Sequence, residues 1–335
     1  MAVGVVEDVR SFRSSPKMLH DMEIPVLLRR NYIKTGYRPL NKELKYYVKS
    51  AFSWHNELVN IWTHALPLIG LYLFYILPEL MHDRPRAVVI FAYSGVSSVL
   101  FCSALTHLMH SRSPTDHIFW LLVDFSGIAV FSLAIGVQRF LSRPYNSILF
   151  TTFYVPTLTG VVLLQYLTTS GFFVLRPLWK ARHSIRILCC GFLNFWIYIP
   201  LLDRYVAGED MTMHTKALQW MMLSGVFMGA HFPECCAPGC FDLVGYGHQL
   251  FHICITMVTW CLCDSAHMDT PRRTDGPKGI WGDPLTKSLT CVMLLAVLTC
   301  AATTCGLMLQ VKDQNLMNSQ RSRSTRRESL CEKTR

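Results

Sequence analysis

The sequence predicts an all-α, polytopic membrane protein: a bundle of eight transmembrane helices, with a seven-helix core and a C-terminal eighth. Three observations lead to this fold class. The 335-residue chain is 51% hydrophobic and only 16% charged, with a mean hydropathy of +0.28, whereas soluble domains carry about 25% charged residues. Its apolar runs come close to the ~20 residues that a spanning helix needs. Lysine and arginine are also distributed unequally between alternate loops, as expected for a chain that crosses the membrane repeatedly.

The apolar runs place the eight spans in order. They cover residues 60–81, 87–109, 117–138, 146–168, 185–203, 217–233, 246–267 and 288–310. The fifth and sixth are the weakest, because the fifth is short with Pro200 near its end and the sixth is interrupted by His231 and Pro233.

These spans divide the chain into three parts. Residues 1–55 are polar and basic and are expected at the cytoplasmic membrane surface, with an amphipathic helix around 42–52. Residues 56–310 form the transmembrane domain, and residues 311–335 form a basic cytoplasmic tail. No cleavable signal peptide is expected, because the first forty residues hold arginines and no apolar block.

Orientation follows from the basic residues outside the spans. With a cytoplasmic N-terminus, 22 of the 32 lysines and arginines fall on the cytoplasmic side and 10 on the other. Eight spans put both termini in the cytoplasm, whereas seven would export the arginines of 321–327. The net charge of +10 is spread over termini and loops, which favours contact with anionic lipid and argues against a nucleic-acid partner.

Polar residues inside the apolar runs predict a functional site. His248 and His252 are four residues apart, so their imidazoles share one face of the seventh span. His107 falls near the end of the second span, one turn after Ser103, and Asp124 lies about two turns into the third. At 1.5 Å of rise per residue, the histidines and Asp124 lie roughly 5–10 Å below the cytoplasmic surface. They are therefore expected at one depth.

Three neutral imidazoles with one open position are the usual ligands of a catalytic or substrate-contacting zinc ion. We therefore expect zinc at His107, His248 and His252, with Asp124 holding a water beside the metal. The alternative is that each polar group only hydrogen-bonds a neighbouring helix. His110 competes with His107 for the ligand role, and His107 is favoured because it lies one turn deeper.

Other polar residues near the helix ends have simpler interpretations. Glu57 and Asn60, three residues apart at the start of the first span, are interpreted as a cap of that helix, with a ligand role as the alternative that is no more favoured. His64, His231 and His267 are expected to be interfacial.

The 13 cysteines do not follow a disulfide framework and are expected to be mainly free thiols. Cys235, Cys236 and Cys240 share a loop, but their spacing fits no closed zinc site. S-palmitoylation or inert thiols are the favoured interpretations.

The residues discussed so far include stretches that resemble the progestin and adipoQ receptor family, in the family's order. These are GYRP at 36–39, HNELVNIWTH at 55–64, SALTH at 103–107, DFSGI at 124–128, the PE pair at 233–234 and GHQLFHI at 247–253. The chain departs from the family at Cys235, where a basic residue is common, and at Phe125, where tyrosine is usual.

Within the family, the chain is similar to the membrane progestin receptor branch of alpha and beta type. The resemblance implies a plasma-membrane receptor that binds a steroid of the progestin class, contacts membrane lipid and signals rapidly through inhibitory heterotrimeric G proteins. It also implies that His107, His248 and His252 are the zinc ligands, and that Asp124 is the carboxylate beside the metal.

Two functional hypotheses from different classes follow. The first is a steroid receptor in which zinc is structural or part of the pocket. The second is a zinc-dependent intramembrane lipid amide hydrolase of ceramidase type, with Asp124 and Ser103 as catalytic side chains. The open coordination position favours the hydrolase, and the family branch favours the receptor. A transporter is disfavoured, because no inverted repeat or paired broken helices are found.

Overall fold

The computed structural model of the chain describes residues 17–176, 179, 181–272 and 284–333, excepting the side chains of 182, 183 and 315–333. Within these residues the chain is helical, and the sole β interaction is an isolated bridge between Leu19 and Tyr37. The all-helical fold class predicted from the sequence is confirmed.

We label the α-helices of the described chain in order. Their bounds are α1, Leu44–Ser50; α2, Leu58–Leu80; α3, Ala87–Met109; α4, Pro114–Leu141; α5, Ile148–Leu175; α6, Arg182–Tyr198; α7, Thr212–Ala230; α8, Gly247–Asp269; and α9, Pro284–Lys333. In α2, a π-helical stretch at Tyr72–Ile76 separates Leu58–Leu71 from Leu77–Leu80. A 3-10 turn at Ile199–Leu201 carries α6 on into Leu202–Val206.

Seven of these helices are long and apolar enough to cross a membrane, namely α2 to α6, α8, and α9 over Pro284–Gln314. The remaining predicted span is α7, a helix of 19 residues, or about 28 Å at 1.5 Å per residue. Its first turns carry His214, Lys216 and Gln219, which lower its hydropathy. Helix α7 packs along α8 and also touches α6, and this position is compatible with eight spans in all.

Helices α2 to α8 form a ring in which each helix packs on the next, and α8 closes on α2. Helix α9 lies outside this ring against α3, α4 and α5. There the Tyr166 hydroxyl donates to the Cys300 carbonyl oxygen at 3.1 Å and lies 2.9 Å from the Thr304 hydroxyl oxygen. The C-terminal helix is therefore an addition to a seven-helix core, as the sequence predicted.

Two glycines bring α3 and α4 very close together. A Cβ atom at Gly95 would lie 2.3 Å from the Cβ of Ala134, and one at Gly127 would lie 2.8 Å from the Cβ of Cys102. Because any side chain would push the helices apart, this crossing fixes how α3 and α4 face each other near Ser103 and Asp124.

The N-terminal segment, residues 17–57, covers one end of the bundle, which we call the inner end. Ile24, Leu28, Ile33 and Tyr37 pack with Tyr246 in a small apolar cluster beneath it. A charged group also holds the segment in place. The Asp242 carboxylate accepts hydrogen bonds from the backbone N–H groups of Lys34 and Thr35, at 3.0 and 2.8 Å. The short helix α1 lies within the range where the sequence predicted a surface helix.

Candidate metal centre

Three imidazoles meet at the inner end of the bundle. His107 comes from the last turn of α3, and His248 and His252 come from the first two turns of α8. The ring centroids of His107 are 5.2 Å from His248 and 4.7 Å from His252, and those of His248 and His252 are 4.7 Å apart. One nitrogen from each ring lies within 4.8 Å of the other two. The structure therefore brings together the three histidines predicted as ligands.

Hydrogen bonds fix which nitrogen of His107 and His252 is available. The Nδ1 atom of His107 lies 2.7 Å from the Glu57 carboxylate, which can only accept, so Nδ1 carries the proton. The Thr63 hydroxyl donates to the Val59 carbonyl at 2.8 Å, so its oxygen accepts from Nδ1 of His252 at 3.2 Å. In both rings the bare lone pair is therefore on Nε2.

This donor set fits a zinc ion. The Nε2 atoms of His107 and His248 are 3.4 Å apart. Two ligands at about 2.0–2.1 Å from a tetrahedral zinc ion are separated by roughly 3.3–3.4 Å. The bare Nε2 of His107 can accept a hydrogen bond from the Nε2–H of His248 at that distance, or both nitrogens can bind one cation. His107, His248 and His252 could supply three nitrogen ligands and leave a fourth position open.

The Glu57 side chain does not cap its helix, and the sequence-based interpretation of it as a cap is wrong. Glu57 does occupy the N-cap position of α2, but its side chain makes no capping hydrogen bond. Its carboxylate accepts instead from Arg30 at 2.6 and 3.1 Å, from Asn60 at 2.7 Å and from His107. Burial alone raises the pKa of Glu57, but the charge of Arg30, the neighbouring His110 and the hydrogen bond from His107 bring that pKa well below its ordinary value.

Glu57, His107 and His110 also lie within 4.8 Å of one another, so they are a second group with metal-binding atoms. This group does not fit a cation. Both carboxylate oxygens of Glu57 already accept hydrogen bonds, and the Arg30 guanidinium lies on the same carboxylate. A metal would have to displace these donors and sit beside a fixed positive charge. The group is a hydrogen-bonded support for His107.

His64 is not interfacial, contrary to the sequence-based expectation. Its side chain is buried, and its ring stacks on His252 with centroids 3.9 Å apart and planes 7° from parallel. The signal in the sequence was the spacing of Glu57, Asn60 and His64 at i, i+3 and i+7. This spacing places three polar groups on one helical face that points at the site.

Asp124 and Ser103 lie together, apart from the direct ligand set. Asp124 is half-buried on α4, where its carboxylate interacts with the Ser103 hydroxyl and with the charge of Arg186. It is not in the group of atoms that contains the three imidazole nitrogens. Asp124 is therefore not a fourth direct ligand in this arrangement, and its role beside a metal stays a prediction.

Arg38, in the GYRP stretch, supports the end of α3 that carries His107. The guanidinium is buried and donates to the carbonyl oxygens of His107 and Leu108, each at 2.7 Å. It also donates to the hydroxyls of Ser50 and Ser111 at 2.9 and 2.7 Å. The last carbonyls of a helix have no partner within the helix, so a side chain from another segment satisfies them here.

The described cysteines are free thiols. The Sγ atoms of Cys235 and Cys236 are 3.8 Å apart in the loop between α7 and α8, and Cys240 is exposed in the same loop. Among the described residues these cysteines belong to no group with metal-binding geometry.

Comparison with known proteins places this geometry in a family. The profile of the haemolysin-III related family matches residues 52–263, which is more than half of the chain. Membrane progestin receptor beta from Homo sapiens is 27% identical over 330 residues, covering 89% of this chain and 92% of that protein. Membrane progestin receptor alpha-B from Danio rerio is 27% identical, covering 82% of each chain. Membrane progestin receptor gamma from Homo sapiens is 25% identical, covering 78% of this chain and 83% of that protein.

These matches cover both the seven-helix core and the segments that hold His107, His248 and His252. They confirm the resemblance found in the sequence. The chain belongs to the haemolysin-III related family, as a multi-pass membrane protein of the progestin and adipoQ receptor group that is similar to the membrane progestin receptors.

Proposed function

We propose that this protein is a plasma-membrane receptor for a steroid of the progestin class, with a zinc ion held by His107, His248 and His252. The observation that carries the proposal is similarity over 89% of the chain to a protein named membrane progestin receptor beta. The Nε2 atoms of His107 and His248, 3.4 Å apart, and the adjacent His252 ring support the metal. Both termini would lie in the cytoplasm, and the signal would pass to an inhibitory heterotrimeric G protein.

The chain's own residues define what the site can do. Glu57 and Thr63 hold the protons on Nδ1 of His107 and His252, so the opposite nitrogens remain free. A bound zinc ion would act as a Lewis acid that polarises a ligand oxygen at the open position. The surrounding helices exclude bulk water from the buried His107 and His252 rings.

The first experiment measures zinc and steroid on one purified sample. Protein in detergent should carry about one zinc ion and bind a radiolabelled progestin, and His252→Ala should lose the metal. His267→Ala is the matched control, because this histidine lies at the opposite end of the same helix. Zinc retained in His252→Ala would show that the histidines only pack the helices together. Absence of saturable progestin binding by the wild type would overturn the receptor.

Coupling to a G protein is tested separately. Progestin should stimulate GTP exchange on an inhibitory G protein in membranes that contain this chain, and pertussis toxin should abolish the effect. Exchange that is the same with and without the steroid would refute this part of the proposal.

A second candidate function is lipid amide hydrolysis. It is favoured by the interaction of Ser103 with Asp124 at the close α3–α4 crossing, where Ser103 lies one helical turn before His107. In a hydrolase, Asp124 would accept a proton from the attacking water. Asp124→Asn should then keep zinc and steroid affinity but reduce ceramide turnover by orders of magnitude.

In a receptor that is not an enzyme, Asp124→Asn should leave the progestin response near normal, because the amide fills the same space and still hydrogen-bonds. Loss of that response with zinc and steroid binding intact would favour the hydrolase chemistry over the simple receptor.

A further inference from the structure

We propose that Glu57 is a positioning residue for the metal ligand His107, and that Arg30 from the N-terminal segment holds Glu57 in that role. This inference rests on the proposed zinc site and goes beyond it, because neither residue is a ligand. It also assigns a function to the N-terminal segment, which would set the metal affinity of the transmembrane site.

The geometry is that of a carboxylate, histidine and metal in series. Glu57 binds Nδ1 of His107 at 2.7 Å, and Nε2 on the opposite side of the ring faces His248. Both side chains of the pair are buried, with exposed fractions of 2% for His107 and 3% for Glu57. A carboxylate in this position fixes the tautomer and the orientation of the ring, and it makes the ligand nitrogen more basic.

Arg30 allows the carboxylate to stay ionised in this buried place. Its guanidinium binds both oxygens of Glu57, at 2.6 and 3.1 Å. Asn60 donates to the same carboxylate at 2.7 Å and lies 2.5 Å from the Tyr246 hydroxyl, which donates to the carbonyl of Asn56 at 2.9 Å. An ionised carboxylate without these donors would be costly to bury. The network therefore holds Glu57 as an acceptor for His107.

The N-terminal segment and the metal are linked through this network. Arg30 lies 27 residues before Glu57 in sequence, in a segment that Asp242 and an apolar cluster hold against the inner end. Because linkage is reciprocal, a metal at His107 should also favour docking of the segment. Chelation of the metal should expose the segment to protease.

The test compares Glu57→Gln with Glu79→Gln. Glu79 is a matched control because its carboxylate is also buried, with an exposed fraction of 2%, and is bound by two arginines, Arg86 and Arg272, at 2.7 and 2.9 Å. It lies near the end of α2 that is distant from His107. Affinity for zinc is measured by chelator competition on the full chain in detergent, and cobalt spectra report ligand geometry.

We expect Glu57→Gln to bind zinc about 10–100-fold more weakly than the wild type and to have an altered cobalt spectrum. The glutamine side chain has only one accepting oxygen, so its NH2 group must face an N–H donor of either Arg30 or His107, and that hydrogen bond is lost. Glu57→Asp keeps the charge and should recover part of the affinity. Arg30→Met should weaken zinc binding without touching a ligand. Glu79→Gln should match the wild type in affinity even where it lowers thermal stability.

The outcomes separate this inference from the zinc site itself. Equal zinc affinity in Glu57→Gln and the wild type would overturn the positioning role and leave the site intact. Equal losses in Glu57→Gln and Glu79→Gln would also overturn it, because the effect would then be general destabilisation. A wild-type protein that binds no zinc would overturn both proposals.

Discussion

Arg38 offers a sharp test of how the end of α3 is held in place. It is a buried cation that satisfies four acceptors, including the carbonyl oxygens of His107 and Leu108. Burial lowers the pKa of Arg38 to about 10, so the guanidinium remains charged at neutral pH. Replacing Arg38 with Met keeps much of the side-chain volume and removes every donor.

The cost can be worked from the contacts. Each orphaned buried carbonyl costs about 1–3 kcal/mol, whereas the two serine hydroxyls can turn to other partners. The guanidinium also lies 5.5 Å from the Tyr47 ring centroid, a contact that is worth about 0.5–1 kcal/mol. Removal of a buried charge offsets part of these losses. The net expectation for Arg38→Met is a loss of about 2–4 kcal/mol, or roughly 3–6 °C in Tm for a chain of this length.

The assay is thermal unfolding in detergent at one scan rate, with zinc content measured on the same samples. Arg38→Lys should recover only part of the loss, because one ammonium group cannot reach four acceptors that match a planar fork. Arg112→Met is the control, since Arg112 is 45% exposed and its ion pair with Asp116 is 3.7 Å long. If Arg38→Met and the control Arg112→Met have the same Tm, water satisfies the carbonyl oxygens of His107 and Leu108 and the reasoning is refuted.

Three further predictions concern acid stability, a buried cation and topology. Burial lowers the pKa of His55 to about 3. Below pH ~6.5 only the unfolded chain takes up this proton, so His55 lowers the free energy of unfolding by about 1.4 kcal/mol for each pH unit of acidification. In melting scans from pH 7.5 to 5, Tm should therefore fall less steeply for His55→Gln than for the wild type, whereas the control His82→Gln, at an exposed position, should follow the wild type. Arg139 is buried against the Tyr198 ring, and two of its guanidinium nitrogens have no hydrogen-bond partner among the described residues, so Arg139→Met should melt no lower than the wild type; a drop of several degrees would show that an anion or water completes its bonding. A tag placed after Arg335 should bind antibody only in permeabilised cells, and staining of intact cells would reverse the proposed orientation.

The interpretation of Glu57 shows where reasoning from sequence failed. A glutamate just before a helix is a reasonable cap, because capping needs only neighbouring backbone. In the structure its partners Arg30 and His107 lie 27 and 50 residues away in sequence. Bonds to a half-buried arginine and a buried imidazole are stronger than a solvent-exposed cap. Because these two partners are distant in sequence, no local sequence pattern shows that they compete with a helix cap for the Glu57 carboxylate.

Helix α7 shows the opposite case, in which sequence and structure agree while a simple hydropathy test does not select the helix. The run over 217–233 predicted a span, and the structure has a helix at Thr212–Ala230. Its weak hydropathy comes from polar residues in its first turns. Packing against α8 decides its place in the bundle, while apolar side chains such as Leu218, Met222 and Val226 remain exposed.

The sequence by itself determined the helical class, the order of the spans and the shared face of His248 and His252. Each of these depends on properties that are local along the chain, namely the apolar length of a run and the 3.6-residue period of a helix. The depth argument also brought His107 near them, since depth follows from counting residues along each span. The tertiary structure decided which atoms face one another: the Nε2 atoms of His107 and His248 at 3.4 Å, the stacking of His64 on His252, and the link from Arg30 to Glu57. These contacts depend on the rotation and close approach of helices that are distant in sequence, and such geometry is fixed only when the whole bundle packs.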